Sequence, residues 1–146
     1  MEEAAARRIV VGVDGSDCGG RAVEWAVGQA RLTSARLQFV TAWHVPFLAY
    51  GAIGLLPPLS TEVDVSFRAV AEDLAAAAAA RAQAAGVEAQ STVRHGQPAD
   101  VLIEEAEGAD LLVVGSRGHG GFAGLLLGSV SAQCAHHAPC SLVIVR

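Results

Sequence analysis

Three glycines and a serine in the C-terminal third of the chain have the types and the spacing of a phosphate-binding loop. Gly115 and Gly118 end an apolar run, and nine residues further on Gly128 is followed directly by Ser129. A glycine has no Cβ, so its peptide N–H can approach an anion closely and its φ can be positive. A helix that begins at Ser129 would add free N–H groups and partial positive charge. The segment is therefore predicted to be a strand, an anion-binding loop and a helix.

Lysine is absent from the sequence, and all ten basic residues are arginines. The phosphate loop that ends in Gly-Lys-Ser/Thr and Schiff-base chemistry both need a lysine, so both are excluded. Backbone donors must hold most of the anion, with Arg117 able to grip a phosphate through its forked guanidinium. His119 is either a ligand contact or a solvated loop residue. We do not expect strong ATPase activity.

Length and composition predict one globular domain over residues 1–146. The chain has 146 residues, an apolar fraction of 52% and a net charge of -5. This length suits one buried core, and the acidic balance argues against broad nucleic-acid binding. Residues 1–8 lack an apolar signal-peptide core, and three cysteines without metal spacing suit a reducing compartment, so a cytoplasmic protein is expected. A structural or incidental role is expected for the cysteines; the alternative, redox sensing by Cys18, would require a lowered pKa.

One long stretch without charged residues raises the question of a membrane span. No Asp, Glu, Lys or Arg occurs from Leu37 to Thr61. Several prolines and glycines interrupt this stretch, so no span is predicted. We expect a strand that runs into an apolar loop over 43–59. The apolar residues of that loop either pack on the domain or the dimer, form a lid over a ligand, or form a surface that binds a partner.

Hydrophobic periodicity predicts strands that alternate with helices. Short β-branched runs mark the strands, and apolar residues at spacings of three and four mark the helices. The predicted strands cover 8–14, 36–42, 87–94, 109–115 and 141–146, and the predicted helices cover 16–35, 60–86, 99–107 and 129–137. This alternation implies an open, doubly wound α/β fold with a parallel sheet. Ligands bind such sheets beyond the strand ends where strand order reverses, so Asp14 and Gly115 are expected to face each other across a crevice.

The chain resembles the universal stress protein family, whose nucleotide-binding members carry G-x2-G-x9-G-(S/T) after the fourth strand. The glycines described above match this motif, and the flanking sequences VGVDGS (11–16) and HHAPCSLVIV (136–145) are also similar to the family. The resemblance covers essentially the whole chain. It implies a Rossmann-like five-stranded sheet in the order 3-2-1-4-5. It also implies that the crevice binds an adenine nucleotide, most often ATP, with Mg²⁺ or Mn²⁺ as a candidate companion.

The resemblance also assigns site residues by position. Asp14 would approach the ribose or a metal-bound phosphate, and the backbone near Ala42 would meet adenine. Capping of the following helix is the alternative role of Asp14, and both roles can coexist. The remaining implied residues line the floor, wrap the ribose and phosphates, or donate N–H and hydroxyl groups to phosphate; they are Gly12, Val13, Val114, Gly115, Arg117, Gly118, His119, Gly128, Ser129, Val130 and Ser131. Replacing Gly115 or Gly118 by valine is expected to abolish binding and leave the fold intact.

The resemblance implies a regulatory protein of the stress response that signals through nucleotide occupancy and through dimer or partner contacts. The family forms homodimers through its last strand, and residues 141–146 suit an edge strand that pairs with a second copy. The alternative is a tail that closes only its own sheet. Two other functions stay open, an interaction dimer that binds no nucleotide and a weak ATPase. Slow hydrolysis or autophosphorylation near Ser129 and Ser131 is conceivable, but no catalytic residue is identified.

Overall fold

Strands and helices alternate along the described part of the chain. The structure, a computed structural model, describes residues 5–44, 59–118 and 126–146. The strands are β1 (Arg8–Gly12), β2 (Arg36–Trp43), β3 (Ala89–His95), β4 (Leu111–Gly115) and β5 (Ser141–Val145). The helices are α1 (Asp17–Thr33), α2 (Leu59–Ala84), α3 (Pro98–Glu105) and α4 (Ser129–His137). Each strand and helix predicted from periodicity is present.

The strands form one parallel sheet in the order β3-β2-β1-β4-β5. In the central strand, Val10 pairs with Gln38 of β2 on one side and with Leu112 of β4 on the other. The chain moves outward from β1 to β3 and then returns to β4 on the other side of β1. Strand order therefore reverses between β1 and β4, and the predicted doubly wound fold is confirmed. A ligand crevice is expected above this gap.

Both faces of the sheet are covered, and each carries its own core. Val11, Phe39 and Val113 pack on the face of α1 and α2. Val10 and Leu112 pack on the opposite face with residues of α3 and α4. Strands buried on both faces have apolar residues at successive positions, which is why β1 and β4 show as uninterrupted apolar runs in the sequence.

The alanine tract of α2 is a packing face. The charged residues that flank the tract, among them Arg68 and Glu72, predict a helix with a solvated face, and the exposed Arg68–Glu72 ion pair at 2.9 Å lies on that face. The alanines that contact the core are nevertheless buried, namely Ala71, Ala75, Ala78, Ala79 and Ala82. Their side chains are small, so the α2 backbone can lie close to β2 and β3.

The turn after β1 is what brings Asp14 to the crevice. The sequence predicts that β1 continues to Asp14, but the strand ends at Gly12. The Val13 N–H still donates to Val40 O at 2.9 Å, and Gly15 then adopts a φ of 79°. A residue with a side chain rarely takes that conformation. The chain therefore turns sharply, and Asp14 lies in the turn beyond the strand.

The uncharged stretch from residue 37 to 61 begins as β2. Residues 45–58, which carry most of the predicted apolar loop, lie outside the described residues. Trp43 is described, and its ring packs edge-on against His95 with the ring centroids 4.6 Å apart. Among the described helices, none has both the length and the apolar character needed to cross a membrane.

Candidate functional site

The first turn of α1 is held by Asp14 and Ser16. Ser16 is the N-cap, and its Oγ accepts a hydrogen bond from the Gly19 N–H at 3.1 Å. Asp14 Oδ1 accepts hydrogen bonds from the Ser16 N–H at 2.9 Å and from Ser16 Oγ at 2.5 Å. The capping role considered for Asp14 is therefore present in the structure. One carboxylate oxygen holds the turn, while the other, Oδ2, lies beside Gly118 in the loop after β4.

The loop after β4 meets this turn at Gly118. A Cβ built on Gly118 would lie only 2.6 Å from Asp14 Oδ2. Ser16 Oγ lies 3.4 Å from Arg117 O, which is a second contact between the two loops. The carboxylate and the loop are close because Gly118 has no side chain. Asp14 and Gly118 thus face each other at the gap between β1 and β4.

Gly115 has a different neighbour from the one that the sequence predicts. A Cβ at Gly115 would lie 2.8 Å from Cys18 C and 2.8 Å from Gly19 N, which are main-chain atoms of α1. Gly118 and Gly19, rather than Gly115, are therefore the glycines whose missing side chains leave room for Asp14, since a Cβ on Gly19 would lie 2.5 Å from Asp14 Oδ1. The prediction that valine at Gly115 leaves the fold intact is inconsistent with this packing, because the α1 backbone would have to shift.

The motif glycines act through their missing side chains rather than through positive φ. The described glycines with positive φ are Gly15, Gly86, Gly96 and Gly108, so none of the three motif glycines is among them. A Cβ on Gly128 would lie 3.3 Å from Arg117 Cα. Close approach of the two ends of the loop therefore explains this glycine. The expected use of positive φ is not found.

The two ends of the loop are joined at Ser116, which the sequence reading did not single out. The Gly128 N–H donates to Ser116 O at 2.6 Å. Ser131 Oγ donates to the same oxygen at 2.8 Å and lies 3.1 Å from Gly128 O. The Ser131 hydroxyl, expected to reach a phosphate, is directed at main-chain carbonyls. The sequence feature that could have identified Ser116 is its place as a small polar residue directly after a buried strand.

The start of α4 has no side-chain cap among the described residues. Its N-cap is Gly128, which has no side chain to accept a hydrogen bond from the first turn. The first N–H groups of a helix have no partner within the helix, and they carry its positive end. Ser129 is exposed, whereas Val130 packs against the core of the α3 and α4 face. The exposed Arg117 side chain makes no ion pair or hydrogen bond with another described residue.

The residues predicted for the floor (Gly12 and Val13), the ribose (Val114) and adenine (Ala42) lie at the carboxyl ends of β1, β4 and β2. A Cβ on Gly12 would lie 3.4 Å from Val114 Cγ1. Val114 and Ala42 belong to the core on the α3 and α4 face. Val13 is buried in the opposite core, and its N–H is bonded to β2, so its side chain is directed away from this floor. His119 lies outside the described residues.

Cys18 lies in the first turn of α1, directly beside the site. Its Sγ is 3.6 Å from Ser116 Oγ and 3.2 Å from Arg21 Nη2. The Ser116 hydroxyl, with smaller contributions from the Arg117 backbone and the Arg21 guanidinium, lowers the pKa of the Cys18 thiol, although partial burial opposes this effect. Burial instead raises the pKa of Cys134 to about 11. Cys18 thus has the lowered pKa that redox sensing would require.

Within 5–44, 59–118 and 126–146, no group of three His, Cys, Asp or Glu residues could hold a metal ion. Asp14 is the carboxylate nearest to the loop glycines. A cation at this place would have to take its other ligands from a bound molecule or from water.

The fold is an open α/β domain, and its candidate site lies at the switch point of the sheet. A family model described as "Universal stress protein family" matches residues 5–146. The chain belongs to the universal stress protein family, which confirms the resemblance found in the sequence. The match includes all strands and helices described above, so the same domain accounts for both sides of the crevice.

Relatives of two different lengths are similar to this chain. A universal stress protein of Mycolicibacterium smegmatis is 36% identical over 138 residues, which cover 94% of this chain and 45% of the relative. Universal stress protein YxiE of Bacillus subtilis is 30% identical over 149 residues, which cover 95% of this chain and 98% of the relative. The chain therefore spans about half the length of the first relative and nearly all of the second.

Solved structures of the family have the same fold. UspA of Lactobacillus plantarum has a TM-score of 0.80 and 23% identity, and the match covers 96% of this chain and 97% of that one. A universal stress protein in complex with cAMP has a TM-score of 0.67 and 34% identity, and the match covers 98% of both chains. A family member from Arabidopsis thaliana with AMP bound has a TM-score of 0.68 and 22% identity, with coverage of 95% and 90%.

Proposed function

We propose that this protein binds an adenine nucleotide, ATP foremost, at the gap between β1 and β4, with the phosphates at Gly118 and the start of α4. The proposal rests on the place where the turn after β1 meets the loop after β4. There a side chain on Gly118 would collide with Asp14, and the α4 start offers N–H groups without a side-chain cap. N–H donors at a helix start, next to a glycine whose backbone is not shielded by a side chain, suit a polyanion.

The charge of each residue in the site indicates which part of the nucleotide it would contact. The positive end of α4 and the guanidinium of Arg117, which has no side-chain partner among the described residues, attract phosphate. Asp14 is negative and repels a bare phosphate, so it suits the ribose hydroxyls or a divalent cation bound to the phosphates. Mg²⁺ is commonly bound by one or two carboxylates together with substrate phosphates and water. Asp14 would supply the carboxylate, and Mg²⁺ or Mn²⁺ would neutralise phosphate charge.

The family neighbours support adenine as the base. One solved relative, 34% identical to this chain, is a complex with cAMP, and a more distant one has AMP bound. The proposed adenine contact is the end of β2 at Ala42, which is half-buried on the α3 and α4 face. ATP is preferred here because the site extends from Asp14 to the α4 start, which leaves donors for more than a single phosphate.

We propose a regulatory role in the stress response rather than rapid catalysis. Among the described residues, the Ser131 hydroxyl donates to the Ser116 carbonyl, and no base is hydrogen-bonded to Ser129. An activated nucleophile needs such a base or a lowered pKa. Slow hydrolysis or autophosphorylation at the exposed Ser129 is the remaining enzymatic alternative. If phosphate release from ATP is no faster than in a control without protein, this enzymatic alternative is excluded.

The proposed partner besides the nucleotide is a second copy of the chain. β5 (Ser141–Val145) is an edge strand of the sheet, and its apolar side chains are only half-buried. Such an edge pairs readily with another strand. Cys18, Cys134 and Cys140 are free thiols, which suits the cytoplasm as the place of action. Light scattering after size exclusion tests the dimer, since the monomer mass is 14.9 kDa.

Isothermal titration tests the nucleotide proposal. ATP, AMP, cAMP and adenosine are each titrated into the full chain, once with Mg²⁺ and once with EDTA. We expect ATP to bind with the highest affinity and to lose affinity in EDTA. Absence of binding heat for all four ligands, confirmed by an unchanged thermal unfolding midpoint at millimolar ATP, would leave the interaction dimer as the better explanation.

A further inference from the structure

The carbonyl of Ser116 joins two parts of the loop that are far apart in the sequence. It accepts hydrogen bonds from the Gly128 N–H at 2.6 Å and from Ser131 Oγ at 2.8 Å. We call these two hydrogen bonds the Ser116 latch. The latch sets the distance between the Arg117–Gly118 segment and the first turn of α4. Those two segments are the two halves of the proposed phosphate site.

The Ser116 side of the latch is anchored independently of α4. The Ser116 N–H donates to Val145 O of β5 at 2.7 Å, and its Oγ lies 3.6 Å from Cys18 Sγ of α1. The residue is 3% exposed. Ser116 is therefore held by the sheet and by α1, and the latch adds a direct connection between the loop and the first turn of α4, whose Val130 and Cys134 pack in the core.

On the Ser131 side of the latch, the hydroxyl hydrogen already takes part in a hydrogen bond within the protein. Ser131 is 1% exposed and is the third residue of α4. Its hydroxyl has a single proton to donate. That proton is directed at Ser116 O, and Gly128 O lies 3.1 Å away as a second main-chain oxygen. This geometry differs from a hydroxyl that points out of the helix start toward a phosphate.

We propose that Ser131 is a positioning residue, which assembles the phosphate site through the Ser116 latch and does not contact the nucleotide. The proposal rests on the nucleotide binding proposed above. A site whose two halves are already held in place loses less conformational entropy when a ligand binds. The latch therefore raises the affinity for phosphate-bearing ligands, whereas the adenine end of the crevice is independent of it.

The test compares Ser131→Ala with Cys134→Ala. Cys134 is a matched control because it lies one turn further along α4 and is fully buried, and because its side chain packs in the core rather than on Ser116. Amide hydrogen exchange of Gly128 is measured by NMR without ligand, and affinities for ATP and adenosine are measured by titration. In Ser131→Ala we expect faster Gly128 exchange and ATP affinity reduced by roughly three- to tenfold, with adenosine affinity unchanged. Cys134→Ala should lower the unfolding midpoint and leave all three quantities unchanged.

The outcomes separate the latch from other roles of Ser131. Weaker ATP binding with unchanged Gly128 exchange would mean that the hydroxyl contacts phosphate directly, and it would overturn the proposal. Equal losses for ATP and adenosine would show a general structural role and would also overturn it. If the wild-type chain binds no nucleotide, the proposed function fails, while the exchange rate of Gly128 still decides whether the latch holds the loop.

Discussion

Gly118→Ala is the substitution that most directly tests the crevice. The added methyl group would lie 2.6 Å from Asp14 Oδ2, whereas ordinary contact begins near 3.4 Å. The carboxylate oxygen would therefore have to move by about 0.8 Å. Asp14 Oδ1 accepts two hydrogen bonds from Ser16, at 2.9 and 2.5 Å. A shift of this size strains both bonds and places a methyl group in the proposed phosphate cradle.

The expected magnitude follows from those two hydrogen bonds. Hydrogen bonds to a charged group contribute about 1.5–3 kcal/mol each. If the equivalent of one such bond is lost when the nucleotide binds, ATP affinity falls by roughly 10- to 100-fold. The free energy of unfolding should change less, because Asp14 lies on an exposed turn and can adjust in the free protein.

Titration calorimetry measures the affinity, and Gly28→Ala is the matched control. A Cβ on Gly28 meets nothing within 4 Å, and the residue lies within α1. That control should bind ATP as the wild type does and gain about 0.5–1 kcal/mol of stability, because alanine favours a helix more than glycine does. Wild-type ATP affinity in Gly118→Ala would refute the site as drawn here.

Three further changes test the site and its surroundings. Gly115→Ala should lower the free energy of unfolding by about 1–3 kcal/mol in a denaturant titration, because its Cβ would meet the α1 backbone at 2.8 Å; an unchanged midpoint would contradict this packing. Because its pKa is lowered, Cys18 should have a larger thiolate fraction near neutral pH than Cys134, and iodoacetamide should alkylate it first, as read by mass spectrometry. Faster labelling of Cys134 in the folded protein would refute that order. Asp14→Asn should remove the gain in ATP affinity that Mg²⁺ provides, and a persistent Mg²⁺ effect would exclude Asp14 as its carboxylate ligand.

The sheet and its helices were predictable because their signals are local. The apolar runs at β1 and β4 and the spacing of apolar residues in α1 indicate each element without knowledge of its neighbours. Boundaries were less accurate, since β1 ends at Gly12 and the turn depends on the positive φ of Gly15. The charged face predicted for α2 is present and carries the exposed Arg68–Glu72 pair, whereas the burial of the alanines on its other face depends on packing against the sheet.

The candidate loop was also predictable, but the partners of its glycines were not. The spacing of the motif indicated an anion-binding loop and the family. It did not show that Gly118 lies against Asp14 or that Gly115 lies against α1. The sequence does not distinguish one glycine from another. The atoms that occupy the space beside each glycine depend on how α1 packs beside β4.

By itself, then, the sequence determined the order of strands and helices, the loop motif and the absence of a lysine for phosphate binding. The tertiary structure decided that Ser116 joins the loop to α4 and that the Cys18 pKa is lowered. The Cys18–Ser116 contact spans 98 positions, and the Ser16–Arg117 contact spans 101. Periodicity and motif spacing report only neighbours along the chain, whereas hydrogen bonds and pKa shifts depend on neighbours in space, which parallel strand pairing brings together from distant segments.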